Sequence, residues 1–243
     1  MDYAIGCDIS RWQDKLDTPE QVDFTKMMSA GASFVFLKAS QTTWKDRTFD
    51  YHWQASQEAG LLRGAYHFMT WSDPIAQADY FSNLLRDDPG ELPPIADFEW
   101  WKTTPPNAAG LLAQFIAQVE RNLGIVPGIY TAPGYWNPHG SKNAFFARSP
   151  LWIAWWIRGW RSWVPGNWTP KPPKPWSTWE FWQFTNKGDG AAHGVESDQI
   201  DMNRYNGTLD ELIAKYGGGA VAPVETTNEE KVDILWQHHP SLH

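Results

Sequence analysis

The sequence predicts an α/β protein, a single eight-stranded barrel of irregular build with a short C-terminal tail. Three observations carry that reading. Up to residue 130, apolar runs of strand length alternate with amphipathic stretches closed by glycine, the pattern of a parallel sheet with helical crossovers. Beyond it, three further strand-like runs are joined by segments rich in Trp, Pro and Gly rather than by helices. The predicted strand ends carry Asp8, Ser40, His67, Asp97 and Glu99, Tyr130, Trp155, Gln183 and Asp201, whereas the strand bodies are apolar. Parallel barrels place their chemistry at those carboxyl ends, and 243 residues suit one such domain.

The elements follow in order. Residues 3–7 read as the first strand, and Thr18-Pro19-Glu20-Gln21 as a capping box with proline at the first helical position, opening a helix that Gly31 closes. Residues 34–37 form the second strand, followed by a helical segment ending at Gly60. Residues 63–68 are the third, and Asp73-Pro74 starts a helix to about Arg86. The fourth covers 92–98, with a helix from Asn107 to Leu123 stopped by Gly124, and the fifth covers 126–130. Residues 151–155, 180–184 and 199–202 complete the set. The barrel spans 1–216, a flexible linker 217–227, and a short helical tail 228–243 with Val232, Leu235 and Trp236 on one face. Such a tail is expected to fray or dock on the barrel; a wall-binding or self-association element is the sharper alternative.

Composition excludes several classes. A formal charge of −8 argues against nucleic acid, which needs a basic stripe. No apolar run is long enough to span a bilayer. Met1–Gly6 shows neither a basic nor an apolar leader segment, so synthesis in the cytoplasm without a signal peptide is expected. The single Cys7 offers no internal disulfide and reads as a small buried hydrophobe. The histidines show no ligand spacing, so no metal is expected.

The chemistry is concentrated in Ile95-Ala96-Asp97-Phe98-Glu99. Alternate residues of a strand share a face, which puts the Asp97 and Glu99 Cα atoms roughly 6.6 Å apart on one side. Two crowded acids at a buried strand end push one pKa up while the other stays ionised. Glycoside hydrolysis needs that pair: an acid for the leaving oxygen and a carboxylate for the anomeric carbon. Alone, Asp-x-Glu is a weak signal. Asp8 and Asp201 could each simply hold a turn, and His67 beside Phe68 reads as structural or as pocket lining. Nine tryptophans fall between Trp152 and Trp182; they pack the irregular half, line a glycan groove, or divide between the two. Trp155 is the expected groove residue. Trp160 and Trp163, with Arg158 and Arg161, form a loop that could meet carboxylates.

In order along the chain, Gly6-Cys7-Asp8-Ile9-Ser10, Lys38-Ala39-Ser40, Gly64-Ala65-Tyr66-His67-Phe68, Ile95–Glu99, Gly128-Ile129-Tyr130-Thr131, Leu151-Trp152-Ile153-Ala154, Trp182-Gln183-Phe184-Thr185 and Gln199-Ile200-Asp201-Met202-Asn203 resemble the strand motifs of the glycoside hydrolase family 25 lysozymes, the Chalaropsis-type muramidases. The resemblance implies an irregular TIM-like (β/α)5(β)3 barrel that cleaves the β-1,4 bond between N-acetylmuramic acid and N-acetylglucosamine in bacterial peptidoglycan, with neither metal nor organic cofactor. It implies Glu99 as general acid and Asp97 as partner carboxylate, either a nucleophile or a support for an intermediate formed by the substrate's acetamido group. Asp8 and Asp201 match further pocket acids; Tyr66 and Tyr130 match aromatics beside the scissile sugar, and Lys38, Gln183 and His67 fall in matching motifs. Gln41 stands where many members carry an acid, which alters local charge. A phage endolysin released at lysis, or an exported bacterial enzyme, fits such a chain. The rivals are a chitinase-like hydrolase, disfavoured because Ile95 stands where its longer acidic pattern needs Asp, and a glycan-binding module without catalysis, disfavoured by retention of all four acids.

Overall fold

The computed structural model describes residues 3–15, 21–100, 102–159 and 169–217. Among them nine strands form one sheet: β1 (Ile5–Ile9), β2 (Ala32–Gln41), β3 (Trp44–Lys45), β4 (Leu62–Phe68), β5 (Ile95–Asp97), β6 (Gly128–Thr131), β7 (Leu151–Ala154), β8 (Phe181–Asp189) and β9 (Gln199–Tyr205). Eight of them run in the order β1-β9-β8-β7-β6-β5-β4-β2, and a parallel β1–β2 pairing closes the ring; β3 is a hairpin appended to β2. The helices are α1 (Phe24–Ser29), α2 (Phe49–Glu58), α3 (Pro74–Leu85), α4 (Ala108–Leu123), α5 (Pro133–His139) and α6 (Leu209–Tyr216).

The sheet is mixed rather than wholly parallel. β9 runs antiparallel to both β8 and β1. β8 continues to Asp189, five residues past its expected end, so only 190–198 connect it to β9. That is too short for a parallel crossover, which takes a dozen residues or more. The first helix also begins later than expected, at Phe24, where the Asp23 side chain accepts from the Lys26 N–H at 2.9 Å. Residues 18–20 of the expected capping box lie outside the described residues, as do all of the linker and tail beyond Gly217.

Two apolar layers hold the fold. The outer one lies between sheet and helices. In α4, Leu112, Phe115, Ile116 and Val119 recur at i, i+3, i+4 and i+7 and are all buried. Each such side chain contributes about 1.5–3 kcal/mol on burial, before entropy is counted. Gly124, at φ 69°, ends α4 with its N–H on the Glu120 carbonyl. The inner layer fills the barrel: Phe34, Phe36, Ile95, Trp152 and Phe181, with Leu212 of α6 packed into the same cluster.

Glycines make room for those rings. A Cβ on Gly64 would lie 2.3 Å from Phe36, whose ring is stacked on Trp152 at 4.4 Å and abuts Phe181 at 5.0 Å. With Phe36 hemmed in on these sides, the overpacking penalty exceeds the gain from a stiffer unfolded chain. Gly64→Ala is expected to destabilise by about 1–3 kcal/mol, read from the midpoint of denaturant unfolding. A midpoint at or above wild type would show that the inner layer can yield.

Candidate active site

Because successive strand residues face opposite ways, the barrel interior is built by every second position. β1 contributes Gly6 and Asp8, β2 Phe36 and Lys38, β4 Gly64, Tyr66 and Phe68, β5 Ile95 and Asp97, β7 Trp152 and Ala154. Aromatic rings occupy the amino-end layers, and the polar residues fall together at the carboxyl ends. There they line an open cavity of about 350 Å³, bounded by Asp8, Lys38, Tyr66, Asp97, Glu99, Tyr130, Gln183 and Asp201. Eight residues expected at the site from sequence therefore converge on one hollow.

Glu99 lies beyond the last paired residue of β5, yet its direction is fixed. The Phe98 N–H donates to the Tyr130 carbonyl at 2.9 Å, continuing the β5–β6 pairing by one step. The Phe98 ring turns outward against Trp71, Tyr135 and Trp136, so Asp97 and Glu99 on either side face the cavity.

Asp8 is held by amides whose orientation is forced. Indole N–H groups only donate. The Trp156 indole donates to Gln183 Oε1 at 2.9 Å, as does the Tyr130 hydroxyl, which turns the Gln183 Nε2 towards Asp8 Oδ2 at 2.9 Å. Likewise the Trp152 indole donates to Asn203 Oδ1 at 2.8 Å, and Asn203 Nδ2 donates to the same Asp8 oxygen at 2.8 Å. Asp201 is the antiparallel register partner of Asp8, one strand away.

Four carboxyls this close cannot all ionise at neutral pH. Burial is the leading cause for each, and it pushes Asp8 to about 6, Glu99 to about 7 and Asp201 to about 8. The Asp8 charge adds to the rise at Glu99 and Asp201, whereas the two amide donors hold Asp8 itself down. Asp97 is also raised, by burial and then by Glu99, and Lys38 opposes the rise. Asp97 Oδ1 is buried and makes no hydrogen bond among the described residues.

Among the described residues Lys38 is the cation that lines the cavity, and burial lowers its pKa. Its ammonium donates to Gln41 Oε1 at 3.0 Å and lies 4.7 Å from the centre of the Phe68 ring. An acid at position 41 would cancel that charge. The amide binds the ammonium without neutralising it, leaving Lys38 to act on Asp97 and Glu99.

Two expectations are corrected. His67 does not line the cavity. It alternates with Tyr66 and Phe68 and so faces outward, fully buried, with Nδ1 2.8 Å from Ser40 Oγ and Nε2 3.2 Å from Gln77 Oε1. Its ring stacks on Phe115 at 5.0 Å, and burial depresses its pKa to about 3, which makes it a neutral packing residue. Trp155, 42% exposed, is not among the cavity-lining residues either; counting by twos from Trp152 gives Trp156, whose indole lines it. Trp176, Trp179 and Trp182 are buried packing residues, whereas Trp160, Trp163 and Arg161 lie outside the described residues and Arg158 is exposed away from the cavity lining. Sequence reasoning missed Trp12, Phe68, Trp156 and Asn203; strand alternation alone would have found Phe68 and Trp156.

Comparison with known proteins agrees with this fold. The family described as glycosyl hydrolases family 25 matches residues 7–193. Lysozyme M1 of Streptomyces globisporus is 31% identical over 234 residues, covering 86% of this chain and 70% of that protein. The N,O-diacetylmuramidase of Chalaropsis sp is 31% identical over 180 residues, covering 67% and 82%. A crystal structure of the bacterial lysozyme from Streptomyces coelicolor superposes with a TM-score of 0.73 at 28% identity, covering 90% of this chain and all of that one.

Proposed function

The chain belongs to the glycosyl hydrolases of family 25, and from that premise we propose a residue-level account of its chemistry. It is a peptidoglycan hydrolase of the lysozyme, or muramidase, type. Its reaction is hydrolysis of the β-1,4 bond between N-acetylmuramic acid and N-acetylglucosamine. Glu99 is the general acid: at about pKa 7 it carries its proton near neutrality and gives it to the glycosidic oxygen as the C–O bond breaks. Asp97 is its partner. Asp97 lines the cavity, and its ionised carboxylate would accept from a substrate acetamido N–H that enters there. That favours a route in which the acetamido oxygen attacks the anomeric carbon and Asp97 supports the resulting cation. Water then opens the intermediate, and Glu99, now ionised, takes its proton. Asp8 and Asp201 hold the electrostatics of the pocket, while Tyr66, Tyr130, Lys38, Gln183 and Trp156 shape it around the sugar.

The observation that carries this reading is the convergence of four carboxyls at one end of the barrel, in a cavity large enough for a saccharide. No helix of the described residues is long and apolar enough to cross a membrane; the site of action is the cell wall, reached after phage lysis or by export. Digestion of purified peptidoglycan, followed by borohydride reduction and mass spectrometry, tests the bond assignment. Reduced muramic acid ends are expected. Reduced glucosamine ends would place the cut at the other linkage, and protein that sediments with the wall without releasing fragments would mark a binding module.

A further inference from the structure

The rim above β1 and β2 carries groups that the four-acid chemistry does not use. Trp12 stands in the turn after β1, lines the mouth of the cavity and is 69% exposed. Trp44 stands in β3, the hairpin after β2, and is 37% exposed. The Arg11 guanidinium lies between the two, 4.9 Å from the Trp12 ring centre and 5.0 Å from that of Trp44. The Lys38 ammonium is 5.8 Å from the Trp44 ring on the cavity side, and 4.7 Å from Phe68. Alternating cations and rings thus run from the outer rim into the catalytic hollow.

This arrangement is rigidly mounted. Ser10 and Gln13 cap the turn reciprocally, with the Ser10 N–H on Gln13 Oε1 at 2.8 Å. The Arg47 guanidinium donates to the Arg11 and Asp14 carbonyls, and the Glu196 N–H donates to the Gln13 carbonyl. Trp44 is fixed by its pairing with Gln41. Presenting indoles to water on such mounts gains little burial energy, whereas an exposed indole face suits the apolar face of a sugar ring.

Charge says which sugar. The protein carries −8 overall, and its cavity holds four acids. An anionic substituent on the glycan is repelled from that cluster and attracted to Arg11 at the rim, with Lys38 inside the cavity beyond it. Of the two sugars in peptidoglycan, the muramic acid unit bears one, as its lactyl carboxylate or as the carboxylates of its attached peptide.

We propose that Arg11, clamped between Trp12 and Trp44, forms a rim subsite that binds the carboxylate of a muramic acid unit while the exposed face of Trp12 stacks on a sugar ring. This rests on the muramidase reading above. The subsite makes the enzyme select for anionic glycan and sets the direction in which the strand lies across the barrel mouth.

The test compares wild type, Arg11→Gln, Arg11→Lys and Trp12→Ala on three substrates. These are peptide-bearing glycan strands, strands stripped of peptide by an amidase, and stripped strands whose lactyl carboxyls have been converted to amides. Arg11→Gln is expected to raise KM about tenfold on the charged strands with kcat retained, the loss of one charge-assisted hydrogen bond. It should match wild type on the amidated strands, and Arg11→Lys should restore most of the loss. An effect on peptide-bearing strands alone identifies the peptide carboxylate as the ligand, and an effect on stripped strands alone identifies the lactyl group. Trp12→Ala is expected to raise KM on all three substrates. An Arg11→Gln variant with wild-type KM on the charged strands, or with a penalty that persists on amidated strands, overturns the subsite and leaves the hydrolase reading standing. Failure of wild type to cut any of the three overturns both.

Discussion

Replacing Glu99 with glutamine is expected to lower kcat on peptidoglycan by about a thousandfold, the scale of a lost general acid, with KM nearly unchanged. The reason lies in where the side chain sits. It is held in a half-closed cavity, its pKa raised to about 7 by burial and by the charge of Asp8. Wild-type activity should therefore fall as pH rises through about 7, because the ionised form has no proton to give. An aryl glycoside substrate with a good leaving group needs little protonation, and on it the deficit of Glu99→Gln should narrow. An equal deficit on both substrates would mean that Glu99 is not the acid. Stability adds an independent check. An acid whose folded pKa lies above its unfolded value stabilises the protein fully below the unfolded pKa. That contribution is lost as pH rises through the folded one. Glu99, Asp8 and Asp201 all shift in that direction, with folded values of about 7, 6 and 8. The wild-type melting temperature should thus decline between pH 5 and pH 8. Glu99→Gln removes one of the desolvated charges and should flatten that decline, each tenfold change in proton affinity being worth about 1.4 kcal/mol.

Asp97→Asn should reduce kcat by between about a hundredfold and a thousandfold, as expected when one preorganised group facing a developing charge is neutralised. The two roles open to Asp97 separate with azide. If Asp97 were the nucleophile, azide would enter the space left by Asp97→Ala, restore turnover and yield a glycosyl azide. With the acetamido group as nucleophile, the anomeric carbon is already attacked from within the substrate, and azide should restore nothing. Recovery with azide would overturn the assisted route and leave Asp97 as the covalent partner.

Much of this was legible in the residues, for identifiable reasons. Strand positions showed because buried parallel strands are continuous apolar runs, and Gly124 marked the end of α4 because only a left-handed residue closes a helix that way. Asp97 and Glu99 stood out as paired carboxylates ending an apolar strand, and Asp8 and Asp201 through the motifs around them. What failed was counting. His67 and Trp155 were assigned by proximity to a strand end, whereas the pleat sends each of them outward and brings Phe68 and Trp156 in. Helix α5 escaped notice because Pro138 and Gly134 break its helical signature; it forms because the chain packs Tyr135 and Trp136 against Phe98. The direction of β9 was hidden behind the unexpected length of β8. The Asp8 cradle was invisible for a different reason, since its donors are remote in sequence.

That remoteness governs when the enzyme comes into being. Gln183 and Asn203 lie 175 and 195 residues after the Asp8 they hold. β9 is also the stave that joins β8 to β1. On a ribosome delivering the chain from its amino terminus, seven staves can be laid down, but the ring stays open until residue 205 has emerged. Until then β1 and β8 present bare edges, which invite pairing with other chains. Closure is a long-range step whose entropic cost is met only once β9 can dock. The same docking event seals the sheet and sets the carboxylate in place, so a nascent chain passes from aggregation-prone and inert to closed and catalytic in one move.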